Sequence, residues 1–448
     1  MDYYQSELIK LFQKSNEIYK DNNFETKLNE KNYKFLLVYL NSIHSILKID
    51  MKLNIYQYIN IEFKELILIS KELMKIVFDI IHSGTWNNID ILFKDLFAYS
   101  SILYIYSFFL IQFKNIKVDN NNNNNININI PNPIKKIILK KLDLALIFGD
   151  KLFNQVINQI INLISNNNNN NNNNFLNNFK NENYNNNNEN EIILNKEKLI
   201  KRISRPPSLN EFKNEYMIKG NPCVIENLMK EWPCFNERNW SDLNYLKNVA
   251  GSRLVPIEIG PNYLHEKMKQ KLINFNKFID EYIISKNSDD DNDDIGYLAQ
   301  TKLFEQIPQL RNDILIPEYC KIKIGCGDDD NDNNKEDNVE INAWLGPKGT
   351  VTPLHYDPKH NFLCQIVGRK YIKLFSPKES NNLYPHLNSK LFFNTSMVDV
   401  ENPDHSKFPL FKNCDYIELI LNAGEILYIP PTYWHFVKSL SQSFSIFP

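Results

Sequence analysis

The chain has 448 residues and is close to electrically neutral, with 51 Lys and Arg against 53 Asp and Glu. This balance argues against a protein built chiefly to coat nucleic acid or an acidic membrane surface. Hydrophobic residues make up 43% of the chain, which excludes a wholly disordered protein.

The cysteines and the N-terminal residues indicate a reducing compartment. The chain has 6 cysteines and no C-x-x-C pair, too few for a disulfide scaffold or a cysteine-type zinc site. The first residues, MDYYQSELIK, are acidic and polar, whereas a secretory signal is basic and then apolar. We therefore expect a protein of the nucleus or cytoplasm that is not secreted.

Residues 1–165 are expected to form an all-helical domain. Apolar residues recur every three or four positions over Tyr33–Leu47, Ile55–Ile81 and Ile89–Phe113, which predicts three helices. Residues Ile134–Ile164 predict one or two more. The second helix is expected to end at His82-Ser83-Gly84, because Gly adopts the left-handed conformation that closes helices.

One segment of this domain raises the question of a membrane span. Leu96–Phe113 contains no charged residue, and its length is near the lower limit for crossing a bilayer. It also carries Ser100, Ser101 and Gln112, which a lipid-exposed helix disfavours. A buried helix is therefore the favoured interpretation, a transmembrane helix is the alternative, and no membrane partner is expected.

Two Asn-rich segments interrupt the chain. Residues 120–133 are expected to form a loop within the helical domain. Residues 166–193 are expected to be a disordered linker, since 18 of the 25 residues from 166 to 190 are Asn and bury too little apolar surface to offset chain entropy.

Residues 194–448 have the pattern of a β domain, so the whole chain is expected to be α+β. Short β-type runs bounded by Gly, Pro and Asn predict a barrel or sandwich. The Gly-first pair Gly368-Arg369 predicts a tight hairpin between two of these runs. Two acidic inserts, Asp289–Asp294 and Asp328–Asp337, are expected to be solvated loops. The runs are Cys223–Glu226, Leu254–Ile259, Ile341–Leu345, Phe362–Val367, Tyr371–Phe375, Tyr416–Leu421, Glu425–Ile429 and Phe444–Phe447.

The clearest chemical signal is a candidate metal site. His355 and Asp357 are one residue apart, so on a strand both side chains point to the same face and can grip one ion. His435, where the chain re-enters a strand after two prolines, is the candidate third ligand. Two His and one carboxylate leave open positions, which suits Fe(II), whereas structural zinc prefers a closed tetrahedral set.

A His-x-Asp pair often occurs by chance, but the residues around this one strengthen its interpretation as a metal site. Lys370 lies on a following strand in phase with Ile372 and Leu374, and a lysine pointing into an apolar barrel needs an anionic partner. A dicarboxylic acid held on the metal at one end would supply that partner, and Thr352 could donate a hydroxyl to it. The alternative for Lys370 is an exposed charge on an edge strand.

These segments resemble a known family. The patterns TPLHYDPKHNFLCQIVGRKYIKLFSP, NLYPH and GEILYIPPTYWH are similar to the Jumonji-C oxygenases, most closely to the subfamily of Jumonji-C domain-containing protein five. The resemblance implies a double-stranded β-helix of the jelly-roll or cupin type and dependence on Fe(II), 2-oxoglutarate and O2. Members of the subfamily have a helical N-terminal domain and have been assigned as arginyl hydroxylase, lysine demethylase and histone-tail peptidase.

The resemblance also assigns roles at the metal and co-substrate sites. It implies His355, Asp357 and His435 as the catalytic iron ligands. Lys370 would pair with the distal carboxylate of 2-oxoglutarate, aided by Thr352 and Tyr297. Asn361 would hydrogen-bond near the metal-chelating end of the same molecule. Tyr297 and Asn361 would otherwise be read as ordinary core or turn residues.

The substrate pocket is assigned in the same way. Glu258 matches an acidic residue that faces the substrate, and a carboxylate there could hold a guanidinium by a bidentate pair. Trp344 matches a residue lining that pocket, with a core position as the alternative. At Met268 the family has an aromatic residue, so a stacking face for the substrate cation is lost. The family continues into a Trp-rich strand where this chain ends at Pro448, so we expect the closing strand and pocket wall to differ.

The sequence therefore predicts an Fe(II)- and 2-oxoglutarate-dependent dioxygenase that hydroxylates arginine in a protein substrate. The alternatives are a histone lysine demethylase, acting by N-methyl hydroxylation in chromatin regulation, and a non-catalytic scaffold. A metal-dependent peptidase ranks last because the chain has no H-E-x-x-H helix. No direct nucleic-acid partner is expected, and the helical domain would recruit a protein partner.

Overall fold

The computed structural model describes residues 3–31, 33–52, 59–82, 89–115, 130–165, 192, 194–285, 295–323 and 339–448. The chain divides into two compact units, Met1–Asn183 and Tyr184–Pro448. The predicted Asn-rich linker and most of the Asn-rich loop lie outside the described residues, as do Gly84 and both acidic inserts. The predicted domain boundaries at 165 and 194 therefore stay predictions.

The described part of the first unit is helical. Apolar side chains of these helices pack in a shared core that includes Leu40, Leu73, Leu96 and Val156. The second predicted helix ends at His82, as expected, and the last predicted segment forms two helices that separate at Gly149. The helices are α1 (Tyr3–Asp21), α2 (Phe24–Glu30), α3 (Lys34–Lys52), α4 (Ile59–His82), α5 (Ile91–Asn115), α6 (Asn132–Phe148) and α7 (Asn154–Ser165).

Helix α5 contains the uncharged segment that raised the question of a membrane span. From Leu96 to Phe109 its side chains are buried or half-buried. Ser100 and Ser101 both donate to the carbonyl of Phe97, at 2.9 and 2.8 Å, so their hydroxyls are satisfied within the helix. The expected buried helix is confirmed. Among the described helices, none combines the length and the apolarity that crossing a membrane requires.

The second unit is built on two β-sheets. One has the strand order β1-β2-β11-β8-β13-β6-β5-β3-β4, and the other has the order β10-β9-β12-β7. Most neighbouring strands are antiparallel, so the unit has the jelly-roll arrangement and the α+β fold class is confirmed. The strands are β1 (Arg202–Ile203), β2 (Cys223–Ile225), β3 (Leu254–Ile259), β4 (Lys269–Asn274), β5 (Gly296–Thr301), β6 (Asn342–Gly346), β7 (Val351–Tyr356), β8 (Asn361–Val367), β9 (Arg369–Phe375), β10 (Tyr416–Asn422), β11 (Ile426–Ile429), β12 (Trp434–Ser439) and β13 (Ser443–Phe447).

The two sheets enclose an apolar layer, and the site opens into the same interior. Leu363 and Leu427 from the large sheet pack with Ile372, Leu419 and Val437 from the small sheet. Five short helices of the same unit are α8 (Leu209–Phe212), α9 (Leu243–Ala250), α10 (Phe275–Phe278), α11 (Leu303–Gln306) and α12 (Pro308–Arg311). Side chains from these helices pack with alternate strand residues, such as Leu345 and Phe444, in a second core.

The predicted hairpin at Gly368-Arg369 is wrong. Strand β8 pairs with β11 and β13, whereas β9 pairs with β10 and β12, so the two strands flanking Gly368 belong to different sheets. Gly368 has φ of 76°, and a Cβ there would lie 1.9 Å from the carbonyl oxygen of Gln442. Gly368 is needed because a crowded corner between the sheets requires a positive φ and has no room for a Cβ. A tight hairpin turn also requires glycine, so the sequence alone does not separate the two structures.

Candidate metal centre and adjoining pocket

Strands β7 and β12 bring the three predicted metal ligands together. The strands are antiparallel with His355 opposite His435, and the two imidazole rings have centroids 4.1 Å apart. Asp357 follows β7, and its Oδ2 lies 4.0 Å from Nε2 of His355 and 3.7 Å from Nε2 of His435. One potential ligand atom from each residue lies within 4.8 Å of the others, so the cluster can surround one ion.

Hydrogen bonds orient each of these ligands. Nδ1 of His355 lies 2.9 Å from the carbonyl of Pro353, and Nδ1 of His435 lies 3.1 Å from the carbonyl of Tyr433. Carbonyls only accept, so each Nδ1 carries the proton and each Nε2 presents its lone pair to the centre. Asn361 Nδ2 donates to Asp357 Oδ2 at 2.6 Å and holds that carboxylate. Such outer contacts are typical of protein metal sites.

The donor set fits Fe(II). Burial, together with the neighbouring His355, lowers the pKa of His435 to about 4, so its imidazole is neutral at pH 7 as a metal ligand must be. Two imidazoles and one carboxylate on one face leave coordination positions for a co-substrate and dioxygen. A closed tetrahedral zinc site would need a fourth protein ligand.

Lys370 lies deep in the interior. Its side chain points inward from β9, is 1% exposed, and donates from Nζ to Ser445 Oγ at 2.6 Å and to the hydroxyl of Tyr297 at 3.4 Å. Burial lowers the pKa of Lys370 to about 7. Across the described part of the chain, no carboxylate lies within 4.0 Å of Nζ. The alternative of an exposed edge-strand charge is wrong, because β9 lies between β10 and β12.

Tyr297 and Thr352 adjoin Lys370. Tyr297 is buried on β5, and burial raises the pKa of its phenol while hydrogen bonding to Thr352 and Thr350 opposes that rise. Lys370, Tyr297 and Thr352 thus form one polar group, and their predicted role in binding a co-substrate stays a prediction. Asn361 lies apart from this group, on the candidate metal ligand Asp357.

Glu258 stands opposite Tyr297 on the neighbouring strand β3 and is half-buried. Burial raises the pKa of its carboxyl to about 7. The carboxyl lines a recess with Asn262, Met268 and Tyr297, and no cationic side chain of the described residues pairs with it there. Trp344 is not among the described residues lining this recess; its ring packs on Phe447 with centroids 4.4 Å apart.

The sequence predictions missed two neighbours of the site. Tyr263, in the β3–β4 connection, has its ring centroid 6.2 Å from that of Phe392. Burial raises the pKa of Tyr263 to about 12, its hydrogen bond to Thr395 lowers it, and the charges of Asp357 and Glu258 raise it further. Tyr263 therefore contacts the loop that bridges to His355, and it directly follows Pro261 and Asn262, which line the acidic recess. No local pattern marks such a loop residue.

Ser445 is the second missed residue, and here a signal existed. On β13, Phe444 and Ile446 are buried in the apolar core, so the alternation places Ser443 and Ser445 on the opposite face of the strand. Two buried serines on the inner face of a barrel need hydrogen-bond partners. Ser445 has Lys370, and Ser443 accepts from Gln365 Nε2 at 2.9 Å.

Comparison with known proteins agrees with this geometry. Residues 209–447 match the model of the cupin-like domain family. JmjC domain-containing protein C of Dictyostelium discoideum is 30% identical over 298 residues, which cover 55% of this chain and 68% of that protein. The chain belongs to the cupin-like JmjC family. Its matched region is a JmjC domain of the 2-oxoglutarate-dependent dioxygenase class.

More similar JmjC relatives carry names of the expected subfamily. Lysine-specific demethylase 8 of Danio rerio is 48% identical over 258 residues, covering 58% of this chain and 60% of the relative. Jumonji C domain-containing protein 5 of Drosophila melanogaster is 42% identical over 240 residues, covering 54% of this chain and 57% of the relative. The JmjC chain thus spans less than two thirds of these relatives.

Proposed function

We propose that this protein is an Fe(II)- and 2-oxoglutarate-dependent oxygenase that hydroxylates an arginine side chain of a protein substrate. The observation that carries the choice of arginine is Glu258, a half-buried carboxylate that no cation of the described residues neutralises and that lines a recess beside the candidate co-substrate site. A buried carboxylate of this kind calls for a cationic ligand.

His355, Asp357 and His435 would hold the iron. When bound, Fe(II) with 2-oxoglutarate and O2 supplies the oxidising power to insert oxygen into an unactivated C–H bond. The protein's part at this end is to orient both imidazoles through their Nδ1 atoms, and to hold the Asp357 carboxylate through Asn361. These bonds exist before any ligand arrives, so little reorganisation accompanies binding.

Lys370 would bind the distal carboxylate of 2-oxoglutarate. A dicarboxylate is the counterion that the buried ammonium otherwise lacks, and its arrival would favour the protonated lysine. The hydroxyls of Ser445 and Tyr297 already lie at its Nζ, and Thr352 adjoins Tyr297. These donors would fix the co-substrate's orientation relative to the metal ligands.

Glu258 would bind the substrate guanidinium through two parallel N–H···O bonds. Tyr263 lies close enough to interact with both Glu258 and Asp357, so its ring can support a planar cation near the metal centre. It would offer the aromatic surface that Met268 does not. Pairing with the guanidinium would also favour the ionised Glu258.

Lysine demethylation is the second candidate. Two relatives carry the name lysine-specific demethylase 8, and a histone tail would then be the substrate class. Glu258 would attract a methylammonium as well, but a methylated lysine cannot match the two-pronged geometry of a guanidinium. A non-catalytic scaffold is the third candidate. Nuclear or cytoplasmic location, and a protein partner for the helical unit, stay predictions.

Intact-peptide mass spectrometry separates these candidates. Arginine peptides and methyl-lysine peptides would be incubated with Fe(II), 2-oxoglutarate and ascorbate, with His355→Ala as the blank. We expect a gain of one oxygen mass on an arginine peptide that the blank lacks. Loss of one methylene mass from methyl-lysine instead would establish the demethylase. Succinate release no higher than the blank, with no peptide change, would support the scaffold.

A further inference from the structure

Of the ten exposed large hydrophobic residues among the described residues of the second unit, four lie in one loop. We define the apolar loop as residues 385–397, and it carries Leu387, Leu391, Phe393 and Met397, which are 80%, 64%, 54% and 43% exposed. Leu387 and Leu391 are the two most exposed large hydrophobic residues of this unit among those described. Single exposed hydrophobics are ordinary, but a concentration of them marks an interaction surface.

The apolar loop is an ordered structure anchored on the strand that carries a metal ligand. Ser396 N donates to the carbonyl of Leu354 at 2.8 Å, and Tyr356 N donates to the carbonyl of Asn394 at 3.0 Å. Thr395 forms an antiparallel bridge with His355. The loop thus extends the small sheet past β7, which is otherwise its edge. Residues 394–396 are therefore held beside the candidate metal ligand His355 by backbone bonds, and the exposed apolar side chains belong to the same anchored loop.

The same loop reaches the other wall of the site. The ring of Phe392 stacks on Tyr263, and Tyr263 interacts electrostatically with both Asp357 and Glu258. The loop therefore joins the wall that carries the metal ligands to the wall that carries the acidic recess. A polypeptide whose side chain enters between Glu258 and the metal ligands must pass beside this loop.

We propose that the apolar loop is a docking surface for the substrate polypeptide, and that it selects apolar side chains flanking the modified residue. This inference rests on the proposed function, because it takes a peptide-borne side chain as the ligand of the recess. A second copy of the chain would fit the same surface by chemistry alone. The loop is, however, linked to both walls of the site, by its backbone bonds to Leu354 and Tyr356 and by the stacking of Phe392 on Tyr263, so we assign the surface to the substrate.

The test compares the binding of two peptides that differ only in the residues flanking the arginine. Two fluorescent peptides share a central arginine, one flanked by Leu and Phe and the other by Ser at the same positions. Their affinities for the full chain would be measured by anisotropy. Wild type is expected to bind the apolar-flanked peptide about tenfold more tightly, the effect of burying one or two apolar side chains. The double variant Leu387→Ser/Leu391→Ser is expected to bind both peptides alike.

Ile218→Ser is the matched control, because Ile218 is 58% exposed and lies outside the apolar loop. It should keep the wild-type preference. Equal binding of both peptides by wild type, or an unchanged preference in the double variant, would overturn the proposal. A wild-type dimer in light scattering that the double variant converts to monomer would also overturn it, in favour of self-association. A clear binding preference without 2-oxoglutarate-dependent peptide modification would leave docking intact and reject the hydroxylase.

Discussion

The two ends of the site differ in how complete they are. At the metal end, both histidines and Asp357 already have hydrogen-bond partners that aim them at a common point. At the other end, Lys370 and Glu258 are charged groups of opposite sign that burial drives toward neutrality, and neither has an ionic partner among the described residues. The candidate metal ligands are thus already oriented by the fold, whereas the proposed function assigns the neutralisation of Lys370 and Glu258 to bound ligands.

This difference separates stability from function. The candidate metal ligands are held by local backbone carbonyls and by Asn361, so their arrangement is part of the folded state. Buried charges without partners oppose folding, and their presence is explained by binding rather than by stability. Removing a ligand at the metal end should therefore cost activity without increasing stability, whereas removing either unpaired charge should cost activity and increase stability.

The largest effect is expected from Asp357→Ala. Loss of an outer contact at a metal site typically costs 10–100-fold in metal affinity or activity, so loss of a ligand should reduce turnover by more than about a hundredfold. Iron content by mass spectrometry and succinate release would measure it. His360→Ala is the control, because its Nδ1 bonds the hydroxyl of Tyr428 at 2.8 Å, outside the ligand cluster. Equal iron content in both variants would contradict the ligand assignment.

Lys370→Met is expected to raise the KM for 2-oxoglutarate about thirtyfold, because the variant loses a charged hydrogen bond to the co-substrate. It should also stabilise the fold. Burial lowers the pKa of Lys370 from 10.5 to about 7, so stability present above pH 10.5 is lost as pH falls toward 7. The variant avoids this loss. Its melting temperature should exceed that of wild type by several degrees at pH 7, and the two should converge near pH 10.5.

The same comparison in the presence of co-substrate sharpens the argument. Added 2-oxoglutarate should raise the melting temperature of wild type, since a ligand that binds only the folded state stabilises it. It should leave Lys370→Met nearly unchanged. A variant that is less stable than wild type at pH 7 would mean that Lys370 is already neutralised within the protein, contrary to the proposed counterion role.

Glu258→Gln is expected to reduce kcat/KM for an arginine peptide about tenfold while peptide-independent succinate release persists. Burial raises the pKa of Glu258 from 4.5 to about 7, so stability present below pH 4.5 is lost as pH rises through about 7. The free energy of unfolding of the variant should match that of wild type near pH 4 and exceed it by about 1 kcal/mol at pH 8.

The pH dependence of peptide binding gives a second readout for Glu258. Wild type should bind an arginine peptide more tightly as pH rises through 7 and Glu258 ionises, and the variant should show no such rise. The nearby phenols, Tyr263 and Tyr297, do not interfere, because burial raises the pKa of both far above this range. A rise that persists in Glu258→Gln would assign substrate binding to another group.

Much of this fold follows from periodicity. Helix α4 could be predicted because apolar residues line one of its faces, and α5 because apolar residues fill the segment. Strand β3 could be predicted because it is a short run of β-type residues, most of them apolar. Helix α1 also carries a signal in Leu8, Leu11 and Phe12, all buried. Strand β4 gives almost none: it lies at a sheet edge, where Lys269 and Lys271 stay exposed.

Only the site residues that lie on strands or at their ends could be predicted from local spacing. His355 and Asp357 share a strand end, and Lys370 shares the inward phase of Ile372, so local spacing identifies them. The partner of each strand is set by the whole sandwich, which is why Gly368 was misread as a hairpin. Tyr263 and Thr395 meet only because two loops converge beyond β7, a tertiary contact that leaves no local pattern.

The smallest predicted effect tests the inner end of the site most selectively. Ser445→Ala removes the hydroxyl that accepts from Lys370, whereas Ser443→Ala removes one that accepts from Gln365 on the same strand. Both serines are fully buried, so the two variants should lose similar stability. If Ser445 positions the lysine for the co-substrate, Ser445→Ala alone should raise the KM for 2-oxoglutarate, by about threefold, with kcat unchanged. Ser445→Thr should restore the wild-type KM because it keeps the hydroxyl. An equal rise in KM for both alanine variants would mean that the serines act only through packing, and Lys370 would then be oriented by Tyr297.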